Sequence, residues 1–259
     1  MHIKRALPVM AAGIMTLLCL PAVAWGGDAL VDGPSAVRSI PSTAAAAFAR
    51  GQAEYEAWLE SGAWSDQTPL IADAPHKVLW TTSHRQVRND YCGPATMATM
   101  DHFLRGASDH WSQNTWAAYK YGGAPLWTDA SGASMWVMAM GLRNVTGHGY
   151  SYSYNNDTTR VYSRTQYGIM KKSRPVAYGT RIIATNWPNY AFDHQGHLMV
   201  GRGFDWRYNL IYVDDPYPEN APTPLGRGDE GGDTYGKKTY KKWVVAAGVT
   251  ASASRQVIY

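Results

Sequence analysis

The chain has 259 residues, of which 45% are hydrophobic and 17% charged. That length supports one sizeable core but is short for two full domains with linkers, and the composition excludes an intrinsically disordered chain. A formal charge of +4 is too small to argue nucleic-acid binding, and no CxxC pair, zinc-type ligand spacing or Gly-rich phosphate loop is present.

Residues 1–24 read as an export signal. His2, Lys4 and Arg5 give a basic start, residues 6–20 are apolar, and Ala22-Val23-Ala24 has the small-x-small form of a cleavage site. The apolar run is shorter than the ~20 residues a membrane span needs and is broken by Pro8 and followed by Pro21. Leu18 is too bulky for lipoprotein processing at Cys19. The mature chain is expected to begin at Trp25, to be secreted, and to make no stable membrane insertion. Cys92 is then its only cysteine, and an unpaired thiol outside the cell suggests a reactive role or a partner chain.

Residues 25–42 are rich in Gly, Asp, Ser and Pro and read as a linker. Residues 43–61 read as a helix with Phe48, Tyr55, Trp58 and Leu59 near one face. This helix is either packed on the domain or is a propeptide over a cleft, so residues 25–77 are expected to be a linker and an N-terminal helix. Residues 77–82 form a β-like run. Residues 94–104 read as a helix, since Met97, Met100, Phe103 and Leu104 recur at three- and four-residue spacing. Pro94 fits only its first turn. Cys92 therefore lies at a helix N-terminus, whose partial positive charge favours a thiolate, the form that attacks carbonyl carbon. A buried, inert cysteine is the plain alternative.

Further helices are predicted over 108–119, 131–142 and 158–172, with Trp111, Trp116, Met135, Met138 and Leu142 as core. Strands are predicted over 150–154, 176–183, 197–204 and 210–214. Helices first and strands later argue an α+β fold. A hairpin turn over 205–209 sets His197 opposite Asp215 if the fold point is residue 206, and Asp214 if it is half a residue earlier. His194 is expected in a loop before the strand. His194 and His197 make a poor metal pair, because Gly196 argues against a helix between them. The acidic stretch 229–233 lacks a full calcium-loop signature and reads as a solvated turn.

Three motifs in order resemble the peptidase C39-like family of papain-like cysteine peptidases. They are Gln86 with Tyr91-Cys92-Gly93-Pro94-Ala95, then Gly196-His197 with Val200-Gly201, then Val213-Asp214-Asp215-Pro216. The resemblance covers about residues 78–217 and assigns residues 78–259 to the catalytic domain. It implies a papain-like fold, with a helical part carrying Cys92 packed on an antiparallel sheet carrying His197 and Asp215. It also implies that Cys92 is the nucleophile, that His197 carries the proton, that Asp215 rather than Asp214 orients the imidazole, and that Gln86 donates to the oxyanion. Asn is tolerated in the aspartate's role in such sites. No metal or organic cofactor is required by that chemistry. The substrate implied is a peptide or protein, including cell-wall peptide. Alternatives using the same residues are a cell-wall amidase or transpeptidase, and a non-catalytic envelope-binding module whose Tyr- and Trp-rich surface does the work.

Overall fold

The computed structural model describes residues 40–64, 75–126, 134–187, 190, 193–217, 231–232 and 236–259. The expected export signal over residues 1–24, most of the expected 25–42 linker and most of the acidic stretch 229–233 lie outside the described residues.

The chain opens with helix α1 (Ser42–Glu60), then short strands β1 (His76–Val78) and β2 (Ser83–His84). Helix α2 (Cys92–Arg105) follows, then the short α3 (Gln113–Ala117), the strand pair β3 (Lys120–Tyr121) and β4 (Ala124–Pro125), and helix α4 (Met135–Thr146). Next come β5 (Tyr152–Ser153) and α5 (Thr158–Gln166), which runs on as a π-helical turn over Tyr167–Lys171. The main strands β6 (Val176–Ile182), β7 (His194–Asp205) and β8 (Leu210–Asp214) follow. β9 (Gly231–Gly232), β10 (Lys237–Lys241), α6 (Lys242–Ala251) and β11 (Val257–Ile258) complete it. No described helix is long and apolar enough to cross a membrane.

The principal sheet is antiparallel, in the order β10-β8-β7-β6-β11-β5, with β1 also paired to β7. Alternation along β7 sends successive side chains to opposite faces. Leu198 and Val200 join a core with Met97, Met100, Trp116, Trp136 and Met138, which belong to α2, α3 and α4. Met199 joins a second core with Tyr178, Ile211, Val213, Val245 and Val249. The sheet is thus covered on both faces, and the helix carrying Cys92 packs against one of them. This is a papain-like α+β arrangement.

Helix α1 is built into both cores. Phe48 packs in the first, and Tyr55 and Trp58 in the second. Its closest approach is at Gly51, where a Cβ would stand 2.2 Å from Ser151 Oγ, so only glycine fits. The Tyr55 hydroxyl lies 2.5 Å from Ser163 Oγ, and Tyr259 donates to Gln52 Oε1 at 2.7 Å.

Several expected elements differ in extent. The β-like run 77–82 is strand only at its start, in β1; residues 79–82 are not strand, and β2 follows them. The helix expected over 108–119 is only α3, because Ser112 caps it by accepting from the Thr115 N–H and residues 107–109 form a turn. His194 is not in a loop: it opens β7, pairs with Ile182 and is buried. The hairpin register also differs. The turn spans residues 206–209, with Asn209 at φ 56°, and a bulge interrupts the ladder between Gly201 and Gly203. Asp214 consequently pairs with Val200, and Asp215 lies one residue beyond the last paired position.

Candidate active site

Cys92 is the first residue of α2, directly after Tyr91, whose φ of −97° and ψ of 25° are not helical. The Tyr91 carbonyl accepts the Ala95 N–H at 2.9 Å and closes the first turn. Pro94 has no N–H, so the amides of Cys92 and Gly93 are the donors this helix end presents. The Cys92 side chain is buried and makes no disulfide.

His197 comes from β7, where it pairs with Thr180 of β6. Its Nε2 lies 2.8 Å from Asp215 Oδ1. Continuing the ladder sets Asp215 beside Met199, so the contact with His197 is a diagonal one across the same sheet face. The Cys92 thiol is close enough to the imidazole to favour its charged form. With Nε2 occupied by the carboxylate, Nδ1 is the nitrogen left for sulfur. Burial pulls the imidazolium pKa down, but Asp215 and then Cys92 outweigh it and the value is pushed up to about 10.

Asp215 is fully buried and well supported. The Tyr190 hydroxyl donates to its Oδ2 at 2.5 Å, and the Tyr217 N–H donates to Oδ1 at 3.0 Å. Its own N–H donates to the Gly236 carbonyl at 2.9 Å. Gly236 has φ 63°, and a Cβ there would stand 2.1 Å from the Asp215 carbonyl oxygen. Two separate reasons therefore require glycine.

Asp214 points away from this pair, as adjacent strand residues must. It is not solvated, however: β8 lies between β7 and β10, and Asp214 is buried. Thr81 Oγ1 donates to its Oδ2, and Arg202 Nε lies 3.1 Å from Oδ1. Burial, only partly offset by Thr81 and Arg202, raises its carboxyl to about 6.

Gln86 is buried next to these elements. Its N–H donates to the Pro216 carbonyl at 3.0 Å, which ties it to the residue after Asp215. Its side-chain Nε2 donates to the carbonyls of Arg88 and Asn89, at 3.0 and 2.8 Å, in the loop that leads to Cys92. Its Oε1 is buried without a hydrogen-bond partner among the described residues. Gln113 of α3 holds the neighbouring backbone, accepting from the Val87 N–H at 3.1 Å and donating to the Arg85 carbonyl at 2.5 Å.

The four residues picked out by sequence thus lie on elements that are bonded or packed together, with Asp215 hydrogen-bonded to His197 and Cys92 beside the same ring. A buried thiol at a helix N-terminus, an imidazole and a carboxylate in that order can generate a nucleophile and return its proton to a leaving group. Tyr190 and Gly236 were not legible beforehand, since nothing in their local sequence marks a contact with Asp215. His194, Tyr190 and Tyr217 add an aromatic wall, with His194 ring centroids 6.2 Å from His197, 5.3 Å from Tyr190 and 5.9 Å from Tyr217.

The family model described as "Peptidase_C39 like family" matches residues 74–242. A solved crystal structure from Bacillus anthracis, assigned as a C39-like peptidase, is similar at 12% identity over 71% of this chain and 97% of that one, with a TM-score of 0.45. No curated protein matches the chain significantly.

Proposed function

The chain belongs to the peptidase C39-like family, and on that premise we propose that it is an exported cysteine peptidase that hydrolyses peptide or isopeptide bonds through Cys92, His197 and Asp215. The observation that carries this reading is the buried line of contacts from the Cys92 thiol through His197 to Asp215 and Tyr190, inside the family-matched region.

Cys92 attacks the carbonyl carbon as thiolate, with His197 as its imidazolium partner. The tetrahedral oxyanion forms near the Cys92 N–H at the start of α2, which offers a donor with no intrahelical acceptor. Gln86 is the second donor in this reading. Its Nε2 must then release or share one of its two carbonyl partners, so loop 88–89 adjusts as the substrate oxygen becomes negative. His197 next passes its proton to the leaving amine, and a C–N bond breaks as the thioester forms. Water, deprotonated by the neutral imidazole, then attacks the thioester and restores the thiol. Asp215 keeps the ring in the orientation that serves sulfur, and Tyr190 and the Tyr217 amide keep Asp215 in place.

The catalytic unit in this reading is residues 78–259 with α1 retained on it, the support being α1's place in both cores. The substrate is a peptide or protein met outside the cell, including cell-wall peptide. Cys92→Ala should abolish hydrolysis of a mixed quenched-peptide library with a melting temperature close to that of the parent. Turnover that persists in this variant would overturn the proposal. Export predicts that the intact mass of the released protein begins at Trp25 or later, and a mass that includes residues 1–24 would contradict it.

A further inference from the structure

A second cluster of chemistry-bearing side chains lies at the other end of α2. His84 of β2, His102 in the last turn of α2 and His110 in the loop before α3 each place a ring nitrogen within 4.8 Å of the other two. His84 is buried, and His102 and His110 are partly so. His84 Nε2 and His102 Nδ1 stand 2.9 Å apart. His110 lies 5.0 Å from the His84 ring and 4.4 Å from the His102 ring, centroid to centroid, and is stacked on the latter.

Three imidazoles from three separate elements are costly to bring together as cations, since like charges at this range repel. As neutral rings they form a set of nitrogen donors suited to a borderline divalent metal such as zinc, cobalt, nickel or copper. The surroundings hold the backbone of His84 and the ring of His110. The His84 backbone N–H donates to Thr99 Oγ1 at 3.0 Å, one helical turn before His102. His110 Nδ1 sits 3.0 Å from the Ala107 carbonyl. That contact holds the proton on Nδ1 and leaves Nε2 with its lone pair, the outer-shell arrangement that metal-bound histidines use. Asp101, fully buried beside His102, accepts from Arg105 Nη2 at 2.6 Å, the Trp111 N–H at 2.7 Å and Trp116 Nε1 at 3.2 Å, and so anchors the loop that carries His110.

We propose that His84, His102 and His110 bind one divalent transition-metal ion, through His84 Nε2, His102 Nδ1 and His110 Nε2, with water completing the coordination on the exposed side. Metal–nitrogen bonds of about 2.0–2.1 Å require the ion to replace the His84–His102 hydrogen bond and the His110 ring to draw in, a movement open to a loop side chain. The ion clamps β2 and the loop after α2 to the helix whose first residue is Cys92. Its role is structural, because these rings lie at the opposite end of α2 from the thiol.

The test is equilibrium dialysis of untagged protein against Zn(II) and Co(II), on a Cys92→Ala background so that the thiol does not bind metal. One equivalent of metal should be retained, the Co(II) complex should give the visible absorption of a nitrogen-ligated site, and saturating Zn(II) should raise the melting temperature by about 5 °C. His110→Gln and His102→Gln should each weaken binding at least tenfold and remove that rise, while melting like the parent without metal. His110 is on a loop, so its variant keeps the test valid if His102→Gln folds poorly. Absence of stoichiometric binding, or binding that His110→Gln leaves unchanged, overturns the proposal. Neither result bears on the peptidase reading, which rests on Cys92, His197 and Asp215.

Discussion

At the scale of single residues, the chemistry depends on how one side chain holds the next. Asp215 carries the imidazole, and its carboxylate is held from two sides by Tyr190 and the Tyr217 amide. Asp215→Ala should lower kcat strongly, and Asp215→Asn should retain more activity than Asp215→Ala because an amide oxygen still accepts the ring N–H. Tyr190→Phe should lower kcat more modestly while leaving KM near the parent value. Gln86→Ala should lower kcat with little change in KM, as expected of a donor that acts on the transition state. A large rise in KM at constant kcat would place Gln86 in substrate binding instead. Asp214 is a buried carboxyl with a titration of its own. Its folded-state carboxyl titrates near 6, above its unfolded value, so the folded state keeps a proton that the unfolded chain has lost. Its contribution therefore falls as pH rises from about 4 to about 6 and is constant above that range. Melting temperatures of Asp214→Asn across pH 4 to 7 should show this decline flattened; an unchanged profile would mean that Asp214 is not the group responsible.

At the scale of elements, what was legible in the sequence was the set of strongly patterned segments. The apolar spacing of Met97, Met100, Met135, Met138 and Leu142 predicts two core helices, and all five residues are fully buried. Cys92 at a helix start and His197 on a strand facing an aspartate were likewise legible, whereas their meeting in one site and the choice of Asp215 over Asp214 came from the family resemblance. The register was not. A four-residue turn and a bulge at Arg202 moved the pairing, so Asp215 meets His197 diagonally rather than directly. Bulges carry little signal in a single sequence, and strand ends such as His194 depend on a partner strand far away in the chain. The histidine cluster was hidden for the same reason: His84, His102 and His110 are separated by 18 and 8 residues on three elements, and no single periodicity joins them. The turn that carries Asp215 offers an element-level test. Gly236→Ala combines an unfavourable positive φ with a close approach to the Asp215 carbonyl. It should lower both the melting temperature and kcat, whereas Gly62→Ala, also at positive φ but with open space around it, should cost stability alone. Equal loss of kcat in both variants would separate Gly236 from the site.

At the scale of the whole molecule, one sheet covered on both faces joins the nucleophile helix to the His–Asp strands, and α1 closes both cores. Tyr55→Ala should destabilise the protein by about 3–5 kcal/mol, the usual range for removing a buried large aromatic side chain, measured by denaturant unfolding. A loss below about 1 kcal/mol would make α1 dispensable to the fold. The buried His197–Asp215 contact sets a second global property. Because the folded-state pKa of His197 is raised to about 10, its contribution to stability is fully present below the unfolded value of about 6.5 and is lost as pH rises through about 10. His197→Gln should remove that portion of the decline. The central claim is that Cys92 is a nucleophile activated by His197. Its most direct measurement is the intact mass of the protein after exposure to a peptide-like electrophile at neutral pH. The account predicts one adduct, located on Cys92, absent in Cys92→Ala and formed at least tenfold more slowly in a folded His197→Ala variant. An adduct rate unchanged by His197→Ala, or a Cys92 that stays unmodified in the folded parent, would contradict it.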